Sequence, residues 1–361
     1  MPHPLLERAR QEGTPLIDGE TVTLVWRGRQ SPQLIGDFND WYARKALKLR
    51  RAAPGVWTRK VTLPLDAYVE YAYVRPNPSQ RGKSKDAKRV SDLLNPRITP
   101  NGMGEFNHFF YMPKNGPTPL AQPRRGVLRG TVTRQVLLSP FLVVGGRRAV
   151  YLYRPPTAEP CPLLVVYDGP DYLRRGRLPT IVDNLIAQGR IRPLALAMIT
   201  NGGKARFIEY ACSESTLAFV QYEVLPLALT ELNLIDPEAA LGAHAVLGAS
   251  MGGLMALYTG VRLPHLFGHE LCQSGAFTTN GVDQVIYDLI RDGSPRPLKV
   301  WMDAGQFDIR SLLPANHRMR DLLVARGCDV TYREYNAGHN YPAWRDDLWR
   351  GLELLFSPAL S

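Results

Sequence analysis

The sequence predicts two domains of different class. Residues 1–118 read as a small all-β, immunoglobulin-like sandwich, and residues 119–361 as an α/β domain with a mostly parallel sheet. Three observations carry this. The first ~115 residues alternate in the two-residue period of strands. A Pro/Gly-rich stretch, Met112-Pro-Lys-Asn-Gly-Pro-Thr-Pro119 to Pro123, then marks a joint. Beyond it, strand-like and helix-like segments alternate to the C-terminus, the pattern of a parallel sheet covered by helices.

In the first domain the predicted strands are Thr21–Trp26, Gln33–Ile35, Gly55–Leu63 and Tyr68–Val74. Gly36-Asp-Phe-Asn-Asp40, Ala53-Pro-Gly55 and Pro76-Asn-Pro78 separate them, and turns at such short intervals favour a sandwich. In the second, Leu163–Tyr167 and Leu194–Ile199 read as buried strands, and segments near Thr180–Gln188 and Ser213–Leu232 as helices. The chain closes on Tyr341 to Phe356, an amphipathic helix with Trp344, Leu348, Leu352 and Leu355 on one side.

Between these lies a G-x-S-x-G pattern, Gly248-Ala-Ser-Met-Gly252. An apolar run, Ala243–Leu247, leads into it and a helix-like segment, Met251–Arg262, leads out. That is the setting of a nucleophile elbow, in which a strand ends, the chain turns sharply and a helix begins behind the serine. An α/β-hydrolase supplies nucleophile, acid and base in that chain order. Downstream, the strand-like run Leu298–Met302 feeds Asp303-Ala-Gly-Gln-Phe-Asp308, and Val330–Tyr335 feeds Asn336-Ala-Gly-His339. Open parallel sheets collect their chemistry at the carboxyl ends of strands. Ser250 is therefore the candidate nucleophile, His339 the base and Asp308 the acid, with Asp303 as the alternative acid. Among the other histidines, His244 falls on the strand before the elbow and suits core packing, while His265 and His269 flank a turn and are expected to be solvated.

An oxyanion hole needs backbone N–H groups aimed at the developing charge. Met251, just past the nucleophile, is one expected donor. The second should follow an early strand, and Asp168-Gly169-Pro170-Asp171 after Leu163–Tyr167 is the candidate. Pro170 has no N–H, so the donor must be Gly169 or Asp171.

Composition bounds the partners. The net charge of +11 is uneven: residues 1–118 carry 19 Lys+Arg against 11 Asp+Glu, the remainder 25 against 22. The run Arg75–Arg97 contains Arg75, Arg81, Lys83, Lys85, Lys88, Arg89 and Arg97 against Asp86 and Asp92. It reads as a solvated loop or, second, as an attractor of an anionic small molecule. Without aromatic interleaving or a helix-turn-helix pattern, nucleic acid is not an expected partner. No apolar run reaches the ~18 residues of a membrane span, and the N-terminus lacks a secretory core, so a cytoplasmic protein is expected. The four cysteines, Cys161, Cys212, Cys272 and Cys328, show no metal spacing, and no metal or cofactor is expected. Oligomeric state is not legible.

Taken together, the motifs resemble the enterochelin (enterobactin) esterase family, within the esterase D-like α/β-hydrolases that also include feruloyl esterases and mycolyltransferases. The likeness rests on Tyr167-Asp-Gly169, Arg206-Phe-Ile-Glu-Tyr210 with Glu223-Val-Leu-Pro226, Gly248–Gly253, Gln273-Ser-Gly275 and Gly338-His-Asn-Tyr-Pro-Ala-Trp344. In the first domain Leu34–Trp41, Pro54–Trp57 and Ser91–Pro96 are similar to the early-set sandwich that precedes such esterases. The resemblance implies an acid at the end of a G-x-x-D/E pattern, here Gly305-Gln-Phe-Asp308. It also implies that Arg206 and Glu209 shape the substrate pocket, the alternative being a structural ion pair. The substrate so implied is a small-molecule ester, a ferric siderophore triester whose negative charge would suit the basic surplus. Two other readings stand beside it. One is an esterase of acylated carbohydrate or feruloyl-type esters, with Trp41 and Trp57 stacking on sugar rather than filling the core; the other is a non-catalytic binding protein on a hydrolase fold.

Overall fold

Where the sequence alternates, the chain pairs. The computed structural model describes residues 3–42, 45–75, 88–294 and 297–358. Contacts divide the chain into two units. The first is Met1–Gly116 together with two short loops from far downstream, Gly305–Arg310 and Tyr335–Asn340. The second is Pro117–Ala304, Ser311–Glu334 and Tyr341–Ser361.

The first unit is built from two antiparallel sheets. One orders Leu16–Asp18, Thr21–Arg27, Val56–Thr62 and Arg50–Ala53. The other orders Leu47–Lys48, Gln33–Gly36, Tyr68–Arg75, Phe106–Tyr111 and Ile98–Pro100, with Lys88–Val90 also paired to Tyr68–Arg75. Val22, Leu24, Leu34, Val69, Tyr71, Tyr73 and Phe110 form the core between strands, and Phe307, from a returning loop, packs against it. Strand Tyr68–Arg75 is buried continuously from Tyr68 to Val74 rather than on alternate residues. Its one buried charged residue, Glu70, therefore needs partners, and Tyr68 Oη and Asn107 Nδ2 donate to it at 3.0 and 2.6 Å. The Ser91–Pro96 segment is pinned in the same way: the Asp92 carboxylate accepts from Thr14 Oγ1 at 2.8 Å and Tyr71 Oη at 2.6 Å. Trp57 packs on this core with its indole N–H on Gly28 O, 3.0 Å away, and Trp41 packs beside Ile35, Ala72 and Val74.

The basic run is largely outside the described residues, which omit Arg81, Lys83, Lys85 and Asp86. Two of its described members are spent locally. Arg89 pairs with Glu105 at 2.8 Å, and Arg97 donates to Thr14 O and Asn95 Oδ1 at 3.0 and 3.1 Å.

The second unit holds an eight-stranded sheet in the order Thr131–Leu138, Arg147–Arg154, Ala195–Ile199, Leu163–Val166, His244–Ala249, Phe267–Gln273, Lys299–Gly305, Asp329–Tyr335. The first two strands form an antiparallel hairpin that the alternation of strands and helices did not announce. From Ala195–Ile199 through Lys299–Gly305 the pairings are parallel. The central strands are buried on both faces, as Leu163–Val166 and His244–Ala249 show, because helices cover each side of a parallel sheet. His244 is fully buried and accepts the Leu163 N–H through Nδ1 at 3.1 Å; burial pushes its pKa down to about 4, which keeps it neutral. His265 is exposed as expected, but His269 is not in a turn. It sits on strand Phe267–Gln273, partly covered by Phe356. Among the described residues no helix is long and apolar enough to cross a membrane.

Candidate active site

Strand His244–Ala249 delivers Ser250 at φ 59°, ψ −122°, a conformation that costs an L residue roughly 1–3 kcal/mol. Three backbone bonds hold it there. The Ser250 N–H donates to Gln273 O at 2.9 Å, and its carbonyl accepts from Leu254 and Ala276 N–H at 3.1 and 2.9 Å. The flanking glycines are required by proximity. A Cβ at Gly248 would run into the Gly252 backbone, and one at Gly253 would press on Gly275 Cα at 3.2 Å. Behind Ser250, helix Met251–Arg262 begins, so the Met251 N–H belongs to the first turn and has no acceptor within the helix.

The Gln273-Ser-Gly275 and Trp344 motifs acquire a physical role here. Gln273 accepts from Tyr172 Oη at 3.0 Å, and its Nε2 donates to Asp303 Oδ2 and Trp344 O at 3.1 and 3.2 Å. Trp344 Nε1 donates to Ser274 Oγ at 3.0 Å. These bonds fix the strand end whose carbonyl holds Ser250. Asp303, the alternative acid, lies within strand Lys299–Gly305, fully buried, and also accepts from Trp301 Nε1 at 3.0 Å. Its carboxylate serves that internal network.

The loop after Leu163–Val166 is a helix start rather than an ordinary turn. Asp168 adopts φ 55°, ψ 38°, and Gly169–Arg174 follows as a short helix. Pro170 therefore occupies the first turn, where a missing N–H costs nothing. The Asp171 N–H donates to Asp168 O at 2.9 Å, which corrects the expectation that it could serve the oxyanion. Gly169 remains. It lies so close to the Met198–Ile199 backbone that no side chain fits.

Asp168 itself is 2% exposed at its side chain and is gripped from three directions. Arg206 donates Nε to Oδ1 at 2.8 Å and Nη2 to Oδ2 at 2.5 Å; Asn201 Nδ2 donates to Oδ1 at 2.5 Å. The Asp168 N–H donates to Tyr210 Oη at 3.1 Å. Gly252, in the elbow, sits against this carboxylate, with a Cβ position 3.3 Å from Oδ2. Arg206 and Glu209 thus do not pair with each other. Glu209 is 3% exposed, ion-paired with Arg148 and bonded by the Gly202 N–H at 2.7 Å. So buried a carboxylate has no surface to offer a substrate, which corrects that expectation for Glu209. Arg206, with its fork committed to Asp168, braces the loop.

Asp308 and His339 lie in the first unit. His339 Nδ1 lies 2.7 Å from Asp308 Oδ1, which also accepts the Ile309 N–H at 2.6 Å. The Asp308 side chain is fully buried and that of His339 is 21% exposed. A buried carboxylate on Nδ1 fixes the ring's orientation. Of the residues expected from sequence, then, His339 and Asp308 are brought together within the first unit, and Ser250 is carried on the elbow of the second. Sequence reasoning missed Asp168 and Asn201. Only the Asp168-Gly169 dipeptide hinted at the first, and nothing signalled the second.

A family model described as "Putative esterase" matches residues 143–355. The chain belongs to that esterase family. The iron(III) enterobactin esterase of Dickeya dadantii is 30% identical to this esterase over 231 residues, 58% of the chain and 52% of the relative. The chain spans about half the length of the first two curated relatives it matches. The iron(III) salmochelin esterase of Escherichia coli O6:H1 is 24% identical over 365 residues, 94% of this chain and 88% of that one. The crystal structure of a Shigella flexneri enterobactin esterase, obtained in the presence of enterobactin, gives a TM-score of 0.76 at 22% identity. It covers 93% of this chain and 92% of its own, and shows a shared fold.

Proposed function

We propose that this esterase hydrolyses a siderophore triester through an acyl-enzyme, with Ser250, His339 and Asp308 as its triad. The observation that supports the reading is the buried Asp308 carboxylate on His339 Nδ1 at 2.7 Å, an arrangement that leaves Nε2 for proton transfer. Ser250 Oγ attacks the ester carbonyl while His339 takes its proton. The oxyanion is met by the N–H groups of Met251 and Gly169. The C–O bond to the alcohol then breaks, and His339 returns the proton to the departing alkoxide. Water adds to the acyl-enzyme by the same route and releases the acid and free Ser250.

For the substrate class, the support is the kinship with enterobactin and salmochelin esterases and the net charge of +11, which favours a polyanionic ferric complex. Arg206 is not counted toward that charge, being neutralised by Asp168. The glycan reading gains nothing from the sandwich, where the Trp41 and Trp57 indole N–H groups are both committed internally. Four free cysteines suit the reducing cytoplasm as the site of action.

The test uses wild type, Ser250→Ala and His339→Ala on p-nitrophenyl acetate and on ferric enterobactin, followed by mass spectrometry. Each variant should lose activity by at least about a thousandfold, with the intact triester persisting. Full activity in either would sink the triad. Hydrolysis of the simple ester with an untouched ferric triester would leave the esterase and remove the substrate.

A further inference from the structure

The loop that carries His339 packs on a buried carboxylate to which the reaction above gives no part. Asp37 follows strand Gln33–Gly36, opens the 3₁₀ turn Asp37–Asn39 and is 4% exposed. Its Oδ2 accepts the Glu70 N–H at 2.7 Å and its Oδ1 accepts Trp41 Nε1–H at 2.8 Å. The rest of the carboxylate lies on Gly338, the residue immediately before His339. A Cβ at position 338 would overlap Oδ1, Cγ and Oδ2 of Asp37. Gly338 does not have a left-handed φ, so backbone conformation does not demand glycine there. Asp37 does.

The other sides of the loop are held as firmly. Phe307 N–H donates to Ala337 O at 3.0 Å and Gln306 N–H to Tyr335 O at 2.8 Å, tying the His339 loop to the loop of Asp308. Tyr68 N–H donates to Asn336 O at 2.9 Å, and Asn336 Nδ2 to Asp66 Oδ1 at 2.8 Å. Residues 336–338 therefore sit in a clamp of which Asp37 is the wall against Gly338. The wall is expensive. Burial, then the charges of Glu70 and Asp308, push the Asp37 carboxyl well above the usual carboxylate range. A uniformly apolar wall would avoid that cost.

We propose that Asp37 is a positioning residue for His339, setting the imidazole on Asp308 by fixing Gly338 between the sandwich and the acid loop. This rests on the triad reading above. It gives the sandwich a part in catalysis that is independent of any contact with substrate.

The test is a double-mutant cycle of wild type, Asp37→Ala, Gly338→Ala and the double variant, assayed on p-nitrophenyl acetate. Misplacing a reacting group by a fraction of an ångström lowers kcat by about tenfold or more, and each single variant should show this with KM within about twofold. In the Asp37→Ala background, where all three overlapping atoms are gone, the added methyl has room, so the second change should cost less than about threefold, the coupling expected of groups in contact. The low-field proton resonance of His339 Nδ1 should shift or broaden in the single variants. If Gly338→Ala does not fold, Asp37→Asn decides by the same kcat and resonance. Losses that simply multiply, or kcat within twofold of wild type with an unmoved resonance, would overturn the proposal. Labelling of wild type with a fluorophosphonate separates the two failures. An unlabelled Ser250 removes the triad reading and the proposal with it, whereas normal labelling with no coupling removes only Asp37.

Discussion

Arg206 holds Asp168 by a two-point fork, Nε to Oδ1 at 2.8 Å and Nη2 to Oδ2 at 2.5 Å, and Asp168 is the residue whose left-handed backbone turns strand into helix ahead of Gly169. A carboxylate bound in two places cannot rotate, so the peptide that presents the Gly169 N–H is held through its neighbour's side chain. The brace extends to the elbow, because Gly252 rests on the same carboxylate. One ion pair thereby orders both proposed oxyanion donors.

That assignment separates Arg206 as a brace from Arg206 as a substrate contact. Lysine keeps the charge but loses the fork. We expect Arg206→Lys to lower kcat on a neutral p-nitrophenyl ester by roughly tenfold, a fraction of the 10²–10³ lost with a whole oxyanion donor. KM should move less than about twofold. Steady-state kinetics checks this, and a raised KM with unchanged kcat would return Arg206 to the substrate pocket.

Glu209 lies three residues further on and has a different task. With side-chain exposures of 4% for Glu209 and 9% for Arg148, removing one charge strands the other in the interior. Glu209→Gln should destabilise the second unit by about 3 kcal/mol, the lower end for a broken buried pair. Urea denaturation followed by tryptophan fluorescence measures it. Activity per folded molecule should stay near wild type, since Glu209 touches no reacting group.

Periodicity made the strands of both units legible, and chain order singled out Ser250, Asp308 and His339, because these signals are local or sequential. What it could not supply was pairing at a distance. Arg206 and Glu209 sit three apart on one short helix, a spacing that invites an ion pair. Their real partners come from elsewhere in the chain, Asp168 from the start of helix Gly169–Arg174 and Arg148 from strand Arg147–Arg154. The same holds for Gly338. Nothing in the sequence ties Gly338 to Asp37, near the other end of the chain, and only the fold reveals that the Asp37 carboxylate occupies the space a side chain at 338 would need. The Asp171 expectation failed for a nearer reason: a proline after Gly169 reads as an obstacle until the first turn of a helix is seen there.

Glu270 offers a test of the second unit that is independent of the site. It lies on strand Phe267–Gln273 with no exposure, and neither carboxylate oxygen has a hydrogen-bond partner. A Cβ at Gly260 would strike it, so the space around it is filled. Burial drives its pKa well above the ordinary carboxylate value, which means the folded state holds the proton more tightly than the unfolded chain does. The sign follows: stability is full below the unfolded value, falls as pH rises toward the folded one, and stays low beyond it. Glu270→Gln has the same shape and no charge to desolvate. Its Tm should match wild type near pH 4.5 and exceed it by several degrees at pH 8, a gain of order 1–2 kcal/mol at roughly 2–4 °C per kcal/mol for a domain this size. Thermal melts of the two proteins across that range decide the matter. A difference in Tm that is constant with pH, or one that grows toward acid, would mean that Glu270 is solvated or paired in the folded protein.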